Sequence, residues 1–129
     1  MQKLRDNLLN LLARRDYSSY ELVRKMQIKG HELALIEQEI AVLIQAGLQS
    51  DARYAQMVSE HCVLKGKGPF YLRQKLMEKG VERDVIDDCL LSMDVCEARK
   101  NANYRLRNLD GMMRRKRLIA WGFSPEGME

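Results

Sequence analysis

Long apolar runs are missing from this 129-residue sequence. Uninterrupted apolar stretches extend over only a few residues, as at Ala41-Val42-Leu43-Ile44. A membrane helix needs roughly 20, so no span is expected. A basic start followed by an apolar run and a small-residue cleavage site is also missing, so no signal peptide is expected and the chain reads as cytoplasmic. Cysteine is sparse. Cys62, Cys89 and Cys96 are odd in number and lack C-x-x-C spacing, which excludes a disulfide framework and implies reduced thiols at buried helix positions. Histidine is rarer still. His61-Cys62 has no further ligands at metal spacing, and His31, after a helix-ending glycine, reads as a solvent-facing cap residue. No metal or other cofactor is therefore expected.

The usual marks of catalysis are equally scarce. Asp87 and Asp88 are neighbours, so on a helix they point about 100° apart and cannot act as a pair. Gly66-Lys67-Gly68 lacks the spacing and the Ser/Thr of a phosphate loop. With no nucleophile, base or cofactor motif, the chain is expected not to be an enzyme.

Period-2 alternation is absent, and apolar residues recur instead at helical spacing between the glycines and the two prolines. A first helix is predicted over about 4–15, with Leu4, Leu8, Leu11 and Leu12 on one side. Ser18 and Glu21 form a capping box for the next helix, which carries Leu22, Val23 and Met26 and stops at Gly30. A third presents Leu33, Ile36, Ile40, Leu43 and Ile44 as one stripe and ends at Gly47. Asp51 then caps a helix with Tyr54, Val58 and Cys62 inside. After the Gly66-Lys67-Gly68-Pro69 turn, proline opens a helix with Leu72 and Leu76 that ends at Gly80. Val81, Val85, Ile86, Cys89 and Leu90 belong to the following one. Asp94 and Glu97 begin a third cycle, in which Met113, Leu118 and Trp121 lead to Gly122.

These helices superimpose. Leu22-x-x-x-Met26-x-x-x-Gly30 matches Leu72-x-x-x-Leu76-x-x-x-Gly80, and Leu118-x-x-x-Gly122 keeps the second half. Ile36, Ile86 and Met128 each stand six residues after the glycine. The period is roughly 45 residues, three helices to a unit, as in stacked repeats that bury their faces against one another. The expected fold is all-α, with tandem three-helix repeats over 1–50 and 51–93, an incomplete repeat over 94–129, and an elongated, curved array. A single irregular bundle with similar caps is the alternative.

Net charge is +4, and the surplus is concentrated in 94–129, with eight basic and five acidic residues. Basic side chains recur on the same element of each unit. Arg24, Lys25 and Lys29 lie on the second helix. Lys65, Lys67, Arg73, Lys75 and Lys79 flank or occupy its equivalent, and Arg114, Arg115, Lys116 and Arg117 occupy the third. Stacked units would align them as a stripe suited to an extended polyanion. Singly, each is also what a solvated helix face carries. The Arg114–Lys116–Arg117 run, with Arg115, covers more than one face and favours binding. Tyr17, Tyr20, Phe70 and Tyr71 lie near these helices, but aromatics are only 6% of the chain and Phe70 reads as packing. Backbone and protein contacts are thus favoured over base reading.

Ser50-Asp51-Ala52-Arg53-Tyr54-Ala55, Lys65-Gly66-Lys67-Gly68-Pro69 and Leu72 through Val81 together resemble the centre of the RecX family, whose pattern is roughly D-D-x-R-[FY]-A, K-x-G-P, L-x-x-K-G-[IV]. Asp16-Tyr17-Ser18-Ser19-Tyr20-Glu21-Leu22 is similar to its R-x-[HY]-S-x-x-E-L, and Lys116 through Phe123 to a shortened form of its closing segment. Ser50 replaces the first acid of the pair, and 124–129 leaves little room for the family's last helix. The resemblance implies tandem three-helix repeats that bind RecA and lie in the groove of its filament on single-stranded DNA, suppressing ATP hydrolysis, filament growth and strand exchange, with no cofactor. Weak direct DNA binding and a monomer are further expectations. The competing reading is a helix-turn-helix DNA reader. Against it, the third helices, 32–46 and 82–93, are acidic, with Glu32, Glu37, Glu39, Glu82, Asp84, Asp87 and Asp88.

Overall fold

The computed structural model describes residues 2–125. Eight helices and no strand occur among them: α1 (Gln2–Arg14), α2 (Ser19–Ile28), α3 (Leu33–Gln45), α4 (Asp51–Lys65), α5 (Pro69–Glu78), α6 (Arg83–Ser92), α7 (Val95–Arg105) and α8 (Gly111–Ala120). Met128 lies outside the described residues. The capping box forms as the sequence predicts, with Ser18 Oγ accepting from Glu21 N (3.2 Å) and Ser18 N donating to Glu21 Oε1 (3.1 Å). Pro69 opens α5, while Asp94 and Asp110 cap α7 and α8.

Two apolar clusters hold these helices. Leu4, Leu8, Leu22, Met26, Ile36 and Leu43 build the first, from α1–α3. The second runs from Tyr54 to Phe123, so α7 and α8 share a core with α4–α6. Leu72 and Leu76 of α5 are wholly buried there, each gaining about 1.5–3 kcal/mol from removal from water. The short tail contributes as well. Phe123 is 1% exposed, and Leu118 is buried in the same cluster. Met113 remains 44% exposed. The accessible surface is 8398 Å², against about 7,000 Å² for a compact chain of 15.0 kDa, which marks an elongated outline.

The junction between α1–α3 and α4–α6 is polar and specific. Ser50, not Asp51, caps α4, its side chain accepting from Arg53 N. The Asp51 carboxylate instead accepts from Ser19 N and Gln49 Nε2, both at 2.9 Å, tying the linker to the start of α2. Arg53 donates to Asp16 Oδ1 (2.8 Å) and to the carbonyls of Gly47 and Leu48. Ser18 Oγ, fully buried, donates to the Lys79 carbonyl at 2.8 Å. The aspartate and arginine of the Ser50-Asp51-Ala52-Arg53 motif thus hold two units together, and a cap is supplied by the serine that departs from the family pattern.

Other expectations are corrected by side-chain placement. Leu33 and Ile44 are exposed, and the inner stripe of α3 is Ile36, Glu39, Ile40 and Leu43. Glu39 is therefore not an outer-face acid. It is buried, and it accepts from Arg5 Nε (2.8 Å) and Nη2 (3.1 Å). Cys62 and Cys89 are buried as expected, but Cys96 is exposed, because α7 buries Ala98 and Ala102 and Cys96 lies about 200° round the helix from Ala98. His31 is half-buried rather than solvent-facing.

Candidate nucleic-acid and partner interface

The predicted basic residues separate into groups once side chains are placed. Arg24 and Lys25 are exposed on α2, and Lys29 is exposed at its C-terminal cap. Lys25 Nζ lies 5.9 Å from the centre of the Tyr17 ring, and the Arg24 guanidinium lies 5.9 Å from that of Tyr20. On α5, Lys75 and Tyr71 are four residues apart and share a side, with Lys75 Nζ 5.9 Å from the ring centre. Arg73 lies about 200° from Lys75 on the helix, and it pairs with Asp87 of α6 at 3.5 Å. Lys79 reaches back to Glu21 at 3.7 Å. Arg115, Lys116 and Arg117 are exposed on α8, but Arg114 turns inward and donates to the carbonyls of Arg107 (3.3 Å) and Leu109 (3.2 Å).

Rings and a cleft connect several of these cations. Arg15 lies 3.6 Å over Tyr17, the same ring that Lys25 approaches. Arg15, Glu21, Tyr54, His61, Lys75 and Lys79 line a cleft of about 390 Å³ where the first and second units meet. Burial, reinforced by the negative charge of Glu21, pushes the Tyr54 hydroxyl up to about 12. From Lys75 the path continues over Tyr71 to Lys67. The Lys67 ammonium sits 5.4 Å from the Tyr71 ring centre and 4.1 Å from that of Trp121. Arg105 approaches Trp121 from α7 at 5.7 Å and donates to the Lys65 carbonyl at 2.8 Å. Burial, with the nearby charges of Arg105 and Lys65, pulls Lys67 below the ordinary lysine value.

Arg15, Arg105 and Trp121 were not recognisable as members of this track from sequence. Arg105 and Lys65 are forty residues apart and meet only through the α4–α7 packing. Phe70 was read as packing, yet it is 58% exposed, because the first turn of α5 buries Leu72 and turns Phe70 outward. The third helices present Glu32 and Glu37 on one unit, and Asp84 and Asp88 on the next, as exposed acids.

Fold and surface together define a tandem three-helix scaffold with a cation-lined side. Residues 5–43 match the family described as RecX, first three-helix domain, and residues 50–90 match RecX, second three-helix domain. A regulatory protein RecX of Vibrio cholerae serotype O1 is 44% identical over 75 residues, covering 58% of this chain and 49% of that protein. One from Halorhodospira halophila is 33% identical over 94 residues, covering 73% and 58%. The crystal structure of RecX from Lactobacillus salivarius superimposes with a TM-score of 0.81 at 19% identity, covering 98% of this chain and 92% of that one, a likeness of fold. The chain belongs to the RecX family. It spans about half the length of the Vibrio relative that it matches.

Proposed function

We propose that this chain is a non-enzymatic, cytoplasmic regulator of a RecA recombinase that binds RecA and its filament on single-stranded DNA and lowers ATP hydrolysis, filament extension and strand exchange. The reading rests on the two RecX three-helix domains, matched in order over 5–43 and 50–90. We further propose that the chain is organised as units 1–50, 51–93 and 94–129. The cationic track suits this role. Arg15, Lys25, Lys67, Lys75 and Arg105 are linked through shared rings and one cleft along the side of a stacked array, and an extended anionic assembly is met by such a stripe. Arg73, paired with Asp87, and Arg114, bonded to backbone carbonyls, contribute less than the sequence suggested, and the charge of Arg15 is likewise shared with Glu21 at 3.2 Å. The exposed acids of α3 and α6 weigh against insertion of these helices into a major groove.

The test is a titration of the full chain into RecA on single-stranded DNA at moderate salt, with ATPase and strand exchange followed together. Both should fall as the chain approaches stoichiometry with RecA. Unchanged rates at a molar excess refute the assignment.

A further inference from the structure

Around the turn between α4 and α5, three cations come together: Lys65 at the end of α4, Lys67 in the turn and Arg105 at the end of α7. Among the described residues, none of Lys65, Lys67 and Arg105 has a carboxylate within ion-pair distance. They are nevertheless held close together. Arg105 donates to the Lys65 carbonyl, and Trp121 lies between Arg105 and Lys67 as a shared ring. The ring wall is itself fixed by backbone bonds, because Gly68 N donates to the Trp121 carbonyl (2.7 Å) and Phe70 N to the Gly122 carbonyl (3.0 Å). The like charges repel, and Lys67 is partly withdrawn from water, so an arriving anion relieves both costs.

The geometry points to a phosphodiester-binding cradle for single-stranded nucleic acid, formed by Lys65, Lys67 and Arg105 around Trp121, with the exposed ring of Phe70 as a stacking surface for an adjacent unpaired base. Side chains alone form the cradle. The backbone N–H groups of the turn are already spent, Gly66 on Val63, Lys67 on Cys62 and Gly68 on Trp121, so this is not a backbone nest. The faces of Trp121 and Tyr71 are occupied by cations, and their role is to order these for phosphate. Phe70 is different: it is 58% exposed on the first turn of α5, beside the Trp121–Gly122 segment, and among the described residues no cation lies over its ring. An unpaired base can stack there, whereas a base within a duplex cannot. This contact requires only the chain and the strand, and it extends the proposed function without depending on RecA.

Trp121 is the sole tryptophan, so its emission reports the site directly. Titration of the full chain with a short oligothymidylate should change this emission saturably. Lys67→Gln and Arg105→Gln should each weaken binding about tenfold, and each should reduce the slope of log affinity against log salt by about 0.7, the contribution of one single-strand phosphate contact. Lys67→Arg should restore the slope, which a purely structural role of Lys67 would not do. Phe70→Ala should cost about fivefold or more for the oligonucleotide and nothing for inorganic phosphate. Lys3→Gln, on exposed α1 surface, should leave affinity unchanged. A wild-type affinity and slope in Lys67→Gln overturns the inference. So does an equal response to inorganic phosphate at matched phosphate concentration, or equal affinity for duplex. RecA ATPase inhibition, measured on the same preparations, separates the two readings. Inhibition without strand binding by the chain refutes only the cradle, and strand binding without inhibition refutes only the regulatory role.

Discussion

Replacing Gly122 by alanine should damage this fold far more than the same change at Gly30. Both glycines end equivalent helices with positive φ, +97° at Gly122 and +92° at Gly30. An alanine at either position bears a left-handed penalty of about 1–2 kcal/mol, offset by roughly 0.4–1 kcal/mol from a stiffer unfolded chain. The surroundings then differ. A Cβ on Gly30 meets nothing within 4 Å, whereas one on Gly122 would lie 2.4 Å from Tyr71 N and 2.7 Å from Tyr71 Cβ. The first obstacle is backbone, so the α8 end must move away from α5, at an overpacking cost of about 1–3 kcal/mol. The movement also strains the Gly68–Trp121 and Phe70–Gly122 hydrogen bonds. Gly30→Ala should therefore cost at most about 1.6 kcal/mol, and Gly122→Ala, with overpacking and strained hydrogen bonds added, about 2–4 kcal/mol. At about 4 °C per kcal/mol for a chain of this size, the second should lower Tm by about 8–16 °C in thermal unfolding followed by circular dichroism. Trp121 emission should shift to the red in the native variant. Equal losses for the two substitutions would refute the argument that close approach, rather than φ, makes glycine necessary at 122.

Three other outcomes follow from placed side chains. The hydrogen bonds from Arg5 hold the Glu39 carboxyl below the usual carboxylate range. Its folded pKa thus lies below the unfolded value of about 4.3, and its stabilisation is full above about pH 5 and is lost as pH falls through the folded pKa. Urea midpoints measured from pH 6 to pH 3 should fall less steeply for Glu39→Gln than for the unsubstituted protein; parallel curves would show that the pair contributes nothing. Replacing Arg115, Lys116 and Arg117 together by serine should weaken filament binding about tenfold with helicity intact, whereas Arg114→Ser should lower Tm, since Arg114 holds the carbonyls of Arg107 and Leu109. A thiol reagent should modify Cys96 rapidly in the native protein, and Cys62 and Cys89 only on unfolding; rapid reaction of all three thiols would contradict their burial.

The local grammar of this protein was legible in its residues. Helix periodicity, glycine stops, Pro69 and the Ser18–Glu21 box act within a few residues of one another, so the eight helices and the repeat follow from order alone. Their family membership was legible for the same reason, since motif order and spacing survive without coordinates. The partners of charged and aromatic side chains were not. Glu39 looks like any surface acid until α1 delivers Arg5 to it across thirty-four residues. Asp51 has the chemistry of a cap, but the neighbouring Ser50 caps α4 and the carboxylate is drawn to Ser19 instead. The recurrence of basic residues was legible along the chain, yet which of them stand together depends on helix rotation and on which partners lie nearby. Arg73 turns to Asp87 and Arg114 to backbone carbonyls, while Arg15 shares the Tyr17 ring with Lys25 and Arg105 shares Trp121 with Lys67. Periodicity assigns a residue to a face, but only packing determines what that face meets. The division of the core was decided in the same way: α7 and α8 settle onto α4–α6 because Ala98, Ala102, Leu118 and Phe123 complete an apolar surface that those helices leave open.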